Sequence, residues 1–149
     1  MGKNLPVPSV DVAVALIVSG DRILTVYNPL WSAFTLPMTK LHRWTHPTDP
    51  DKSTVEAWPD GAVRAAAEWL GRTLTTVPKE IADEPGYEQG DRTGEWKRYH
   101  FKVFRFDFDA EPDLAGGAVV EWLTKAEIIN PDRKPIAKTA RDLVAKALP

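Results

Sequence analysis

The sequence predicts an α/β protein with a mixed β-sheet lying between helices, and three observations carry that expectation. Short stretches rich in β-branched and aromatic residues recur along the chain from Asp11 onward. Two segments, "VRAAAEWLGR" (63–72) and "KPIAKTARDLVAKAL" (134–148), repeat apolar residues at helical spacing. Strands and helices alternate irregularly, with antiparallel hairpins among the strands, which suits a mixed sheet sandwiched between helices.

The elements follow in order. "DVAVALIVS" (11–19) is apolar on both alternating faces, as a strand covered on both sides must be. The turn "SGDR" leads into a second strand, "ILTVY" (23–27), and "NPLWSAFTLP" (28–37) reads as a turn with a short extended piece. From Thr39 to Pro59 the pattern breaks, with Pro47, Pro50 and Pro59 among polar turn formers, so residues 39–59 are expected to be a functional loop or insertion. A helix is predicted over 59–70. Pro59 suits its first position, Asp60 the positive end of the dipole, and Gly71 a left-handed stop. Val63, Ala66, Ala67 and Leu70 form its apolar stripe. "TLTTVPKEI" (73–81) reads as extended and "DEPGYEQGDRTGE" (83–95) as a turn-rich loop. "WKRYHFKVFRFDFD" (96–109) is the clearest strand, "GGAVVEWLT" (116–124) a further one, and "KAEII" (125–129) a helical turn. In the last helix Ile136, Ala140, Leu143, Val144 and Ala147 make the apolar face.

Composition narrows the function. With 149 residues the chain suits one domain, spanning 1–149. A formal net charge of -2 without a long basic run gives no reason to expect nucleic acid or an anionic membrane as partner. The absence of cysteine removes disulfides, thiolate nucleophiles and cysteine-ligated metals, and makes a cytoplasmic location the default expectation. "VAVALIV" is too short to span a bilayer, "MGKNLPVPSVD" lacks the apolar centre of a signal peptide, and Pro6 stands where a myristoylation motif wants Ser or Thr. "LAGGAVV" is a turn rather than a phosphate loop, and nothing suggests a Ser-His-Asp triad.

Glu56, Asp60, Arg64 and Glu68 are spaced by four, which on a helix makes a ladder of weak ion pairs worth roughly 0.2–0.5 kcal/mol each. Their context makes them more than a solvated face. A strand ending in "TLP" precedes a loop, then Glu56, the seven residues "AWPDGAV", Arg64, Glu68 and Gly71. This order resembles the Nudix box, G-x5-E-x7-R-E-U-x-E-E-x-G-U, where U is a bulky aliphatic residue. The opening hairpin "DVAVALIVSGDRILTVYNP" and the late "GGAVVEWLTKAEI" also look like that family, so the resemblance covers nearly the whole chain. It implies a Nudix-like α/β/α sandwich and hydrolysis of nucleoside diphosphates linked to another group, with magnesium or manganese. It also implies Glu68 as a metal ligand, Glu56 as an accessory acid and tentative second ligand, and Arg64 as the organiser that pairs with Glu56. Family members are often homodimers, so the resemblance admits one here.

The sequence departs from the pattern where the chemistry is densest. Ala65 stands where glutamate follows the arginine, and Trp69 replaces the second of the paired glutamates. Met38 and Thr39 replace a glycine pair, Ala66 reduces the bulky position, and Arg72 replaces the last aliphatic residue. Magnesium wants several carboxylate oxygens in near-octahedral array, and one of three helix carboxylates remains. Glu88, Glu95, Glu111 and Asp113 are further acids that could contribute, with nothing to choose among them. Metal-dependent hydrolysis is therefore expected to be weakened or lost. The alternatives are a non-catalytic Nudix-fold domain binding a nucleotide-type ligand, or a protein-interaction domain using the 39–59 segment.

His42 and His46 would share a helix face and could chelate a metal, but the prolines beside them favour ordinary loop residues. Trp122 is expected in the core. Trp31, Trp44, Trp58 and Trp69 flank the loop and helix, where they could stack on a flat ligand, pack under the insertion or form an interface.

Overall fold

The computed structural model describes residues 9–72, 74–90, 94–117, 119–132 and 134–149. The expectations about Gly2 and Pro6, and residues 91–93 of the expected loop, lie outside them. The chain runs β1 (Ser9–Ser19), β2 (Arg22–Asn28), β3 (Ala33–Thr35), β4 (Met38–Lys40), β5 (Arg43–Trp44), a 3₁₀ turn (Pro50–Lys52) and β6 (Thr54–Val55). It continues through α1 (Trp58–Leu70), β7 (Lys79–Gly90), β8 (Trp96–Phe108), β9 (Val120–Thr124), α2 (Lys125–Ile129) and α3 (Lys138–Ala147).

Strand β1 is the axis of the sheet. It pairs in parallel with β8 along its whole length, Ser9 opposite Arg98 through Ser19 opposite Phe108. Its other edge is shared. Val12–Val14 pair antiparallel with β4, and Val18–Ser19 with β2. Strand β7 closes one end beside β8, while β3 and β9 flank β2, giving a seven-stranded mixed sheet among the described residues. Strands β5 and β6 form a separate two-stranded ribbon.

Alternation along β1 sorts the core into two layers, as period-2 geometry requires. Val12, Val14, Leu16 and Val18 face α2 and α3, packing with Ile128, Leu143 and Val144. Ala13, Ala15 and Ile17 face α1, packing with Ala62, Ala65, Ala66 and Phe104. The helix–sheet–helix layering expected from the sequence is therefore present. The apolar face expected for the last helix is buried as a set, with Ile136 lying just ahead of α3.

Several local expectations change. Residues 39–59 are not structureless: they hold β4, the β5–β6 ribbon and the 3₁₀ turn. Residues 79–90, expected to be largely a turn-rich loop, form a long strand with two register shifts, between Glu80 and Ala82 and between Glu84 and Tyr87. Its composition is that of a polar edge strand, and the ladder with β8 holds it on both sides of Pro85 and Gly86, whose turn chemistry survives as the second register shift with Gly86 at φ 75°. Helix α1 starts one residue early, at Trp58; Ala66 and Leu70 of the expected stripe are buried, but Gly61, Ala62 and Ala65 complete the buried side while Val63 and Ala67 are half-buried. Small residues decide that rotation. Ala13 and Ala15 leave a shallow sheet surface, and a Cβ on Gly61 would stand 3.2 Å from the Cβ of Ala13. No helix among the described residues is long and apolar enough to cross a membrane.

Gly71 ends α1 at φ 66°, and its N–H returns to the Ala67 carbonyl at 2.8 Å. A Cβ there meets Ala115 at 3.5 Å, an ordinary contact, so the cost of substitution is conformational. Gly71→Ala is expected to lower stability by about 1–2 kcal/mol, measured by urea unfolding with an unchanged m-value.

Candidate functional site

The box resemblance is centred on Arg64, which points from α1 toward β4 and the segment before the helix. Its Nε donates to Glu56 Oε2 at 3.1 Å and its Nη2 to Glu56 Oε1 at 2.8 Å, a bidentate pair. Nη1 donates to Thr39 Oγ1 and Nη2 to the Lys40 carbonyl, both at 2.9 Å. The His42 N–H donates to Glu56 Oε1 at 3.0 Å, and the Glu56 N–H to the His42 carbonyl at 2.8 Å. The side chain of Glu56 is only 10% exposed and that of Arg64 30%. The Arg64 guanidinium holds the Glu56 carboxyl below the usual glutamate value, helped by the His42 amide and opposed by burial. The guanidinium is itself pushed up by the same hydrogen bond.

The other box positions go elsewhere. Ala65 is fully buried, at 0% exposure, in the apolar layer under α1. Trp69 is half-buried and packs against that same layer, as do Trp122, Phe108 and Val120. Trp122 is thus at the margin of the core rather than inside it. Glu68 is exposed. Of the further acids, Glu88 pairs with Arg98 at 2.7 Å on the β7–β8 edge, while Glu95, Glu111 and Asp113 are exposed. Among the described residues, no three His, Asp or Glu side chains gather as a metal ion would need. Both Glu56 oxygens already accept hydrogen bonds from Arg64 or His42. The donor set of this box therefore does not fit a magnesium or manganese centre. The two histidines have other work: His46 Nδ1 accepts from the Thr48 and Asp49 N–H groups at 3.2 and 2.9 Å, and the His42 ring meets Trp44 edge-on at 6.0 Å.

A cleft of about 770 Å³ opens on the opposite face of the sheet, between β4, the start of β8 and the start of α3. Tyr99, Phe101 and Met38 form its floor, and Trp31 stands at its rim. Tyr99 and Phe101 lie nearly parallel, with centroids 5.4 Å apart and planes 14° from coplanar. Lys40, Lys97 and Lys138 bring positive charge to it, with Lys138 also bound to Asp142 at 2.9 Å. Lys40 makes no ion pair with a described residue. Asn28, Gln89 and Thr139 supply amide and hydroxyl groups, and the Thr139 hydroxyl donates to Gln89 Oε1 at 3.0 Å. Neither Glu56 nor Glu68 lines this cleft.

Of the four tryptophans expected near the ligand region, only Trp31 reaches the cleft. Trp58 lies against His100 and Lys102, and Trp44 is exposed on the ribbon. The sequence reading missed Tyr99, Lys40 and Lys138. Alternation along β8, which puts Lys97, Tyr99 and Phe101 on one side, is the signal that could have found part of the set.

No family model matches the sequence, and no curated protein is significantly similar to it. Solved structures are. The chain superposes on a MutT protein from Methanosarcina mazei Go1 with TM-score 0.65 and 19% identity, covering 95% of this chain and 94% of that one. A MutT NUDIX hydrolase from Burkholderia pseudomallei gives TM-score 0.59 and 15% identity, covering 93% and 97%. A bifunctional NMN adenylyltransferase/ADP ribose pyrophosphatase from Francisella tularensis, solved with AMP and manganese, gives TM-score 0.62 and 20% identity, covering 93% of this chain and 40% of that one. At these identities the likeness establishes the fold, and the fold is that of the Nudix hydrolases.

Two outcomes follow from the box geometry. Glu56 has a folded pKa below its unfolded value, so its stabilisation is complete above the unfolded value and is lost as pH falls through the folded one. Glu56→Gln is expected to cost about 1–2 kcal/mol at pH 7, since it leaves a half-buried guanidinium without its anion. In urea unfolding across a pH series, the gap from the wild type should shrink as the wild-type carboxylate protonates. Ala65→Glu puts a carboxylate into a closed apolar layer and should lower stability by roughly 3 kcal/mol or more, an effect that added magnesium does not reverse.

Proposed function

We propose that this chain is a Nudix-superfamily protein that binds a small nucleotide-type ligand in the cleft on the α3 face, and in which metal-dependent hydrolysis at the box is lost or strongly weakened. The packing of Ala65 and Trp69 into the apolar layer under α1 carries the second half of that reading. Two of the three helix positions that would ligate a cation are occupied by groups that instead help exclude water. With Glu56 committed to Arg64, no set of carboxylates is left among the described residues to neutralise the charge that develops when a diphosphate is cleaved. The composition of the cleft supports the first half. Flat aromatic surface favours a planar ring, neighbouring lysines favour an anion, and amide and hydroxyl groups can orient both.

The Francisella protein, solved with AMP and manganese, suggests the probes. AMP and ADP-ribose should each raise the melting temperature of the full chain, by the same amount with magnesium, with manganese or with EDTA. At about 100 times the dissociation constant the gain is roughly 2.7 kcal/mol, or about 5–10 °C for a chain of this size. No AMP should be released from ADP-ribose beyond the buffer control. Metal-dependent stabilisation or turnover would overturn the loss of hydrolysis, and absence of any shift would overturn the nucleotide-type ligand.

A further inference from the structure

We infer that Thr39 is a positioning residue for the cleft: its hydroxyl ties β4 to Arg64 on the helix-α1 face and so fixes Lys40 on the opposite, ligand-binding face. The inference rests on the reading of the cleft as the ligand site. Strand β4 has three residues, registered on β1 with Met38 opposite Val14, Thr39 opposite Ala13 and Lys40 opposite Val12. Val12 and Val14 belong to the α3-side layer and Ala13 to the α1-side layer. Alternation therefore sends the Met38 and Lys40 side chains toward the cleft and the Thr39 hydroxyl toward α1, while Thr39 also borders the cleft.

Arg64 is the receiver on that side. It grips Thr39 Oγ1 and the Lys40 carbonyl at 2.9 Å each, while the bidentate bond to Glu56 fixes the guanidinium plane. One strand thickness separates this grip from the side chains of Met38 and Lys40. So short a strand has few ladder bonds of its own, and the two from Arg64 add to the flanking bonds to β1 from Leu41 N–H to the Asp11 carbonyl and from Ala15 N–H to the Pro37 carbonyl. The tie belongs to this sequence. Where the Nudix pattern has a glycine, Thr39 provides a hydroxyl that a glycine could not. The arginine–glutamate pair, with no metal cluster among the described residues to serve, thereby acts on a site across the sheet. It orients Lys40, whose ammonium has no described counter-ion, toward an anionic group in the cleft.

Calorimetric titration of the full chain with ADP tests the inference on wild type, Thr39→Val, Thr39→Ser, Lys40→Ala and the Thr39→Val/Lys40→Ala pair. Thr39→Val should raise Kd by about 2–10-fold, the worth of one hydrogen bond. Thr39→Ser keeps the hydroxyl and should bind as wild type does. In the Lys40→Ala background Thr39→Val should add no further loss, because its effect passes through Lys40; a general loosening of the fold would weaken binding equally in both backgrounds. Additive losses, or a Lys40→Ala loss without a Thr39→Val loss, overturn the positioning role and leave the cleft standing. ADP that fails to bind wild type overturns the cleft reading and the inference with it, and ADP that binds Lys40→Ala as tightly as wild type overturns the inference, since Lys97 and Lys138 also line the cleft. Should Thr39→Val not fold, Thr39→Ala carries the same comparison.

Discussion

Much of the molecule is organised by one guanidinium. Arg64 makes two bonds to Glu56 and one each to Thr39 and the Lys40 carbonyl. Those partners come from three places: the segment entering α1, the side of β4 that faces the helix, and the backbone of β4. A lysine could meet one of them at a time as a point charge; a planar fork can meet all of them at once. The network is sheltered enough for its charges to matter, and Glu56 adds a reciprocal backbone pairing with His42 that pins the start of the β5–β6 excursion. The 39–59 segment can therefore depart from the sheet and return without disturbing the helix it precedes.

The second constraint is steric. Helix α1 lies close to β1 because both contribute small residues: Gly61, Ala62, Ala65 and Ala66 from the helix, Ala13 and Ala15 from the strand. That close approach leaves no room at position 65 for a carboxylate with its hydration shell. Trp69, one turn on, seals the margin of the same layer together with Trp122 and Phe108. Departures from the Nudix pattern at 65 and 69 thus form one packing solution. A surface that would hold a hydrated cation in a helix bearing three glutamates is here continuous with the hydrophobic core.

Arg64 stands outside that replacement and remains fully bonded. The ion pair persists because Arg64 lies on a different face of the helix from Ala65 and Trp69. Positions 65 and 69 turn toward the sheet, whereas 64 turns toward β4 and the loop. The pair ties the segment entering α1 to β4, through the Thr39 hydroxyl and the Lys40 carbonyl.

The sequence by itself determined the layered α/β architecture, the β1–β2 hairpin, the β8 strand, the glycine stop of α1 and the buried face of the last helix. The pairing of Glu56 with Arg64 was legible through the resemblance to the Nudix box, since Glu56 lies before α1 and eight residues from Arg64. Residues 79–90 were not legible as a strand, since the ladder that holds them comes from β8 and their own residues favour turns. The rotation of α1 was not legible either. Its alanines suit more than one stripe, and only contact with Ala13 and Ala15 selects the one that buries Ala65. The cleft was least visible of all. Its residues come from β4, β8, α3 and the turn before β3, distant in sequence, and only tertiary packing brings an aromatic floor and lysines together. Periodicity and composition report what each segment can become; which surfaces meet is decided by long-range pairing along β1 and by the volumes of the side chains that face each other.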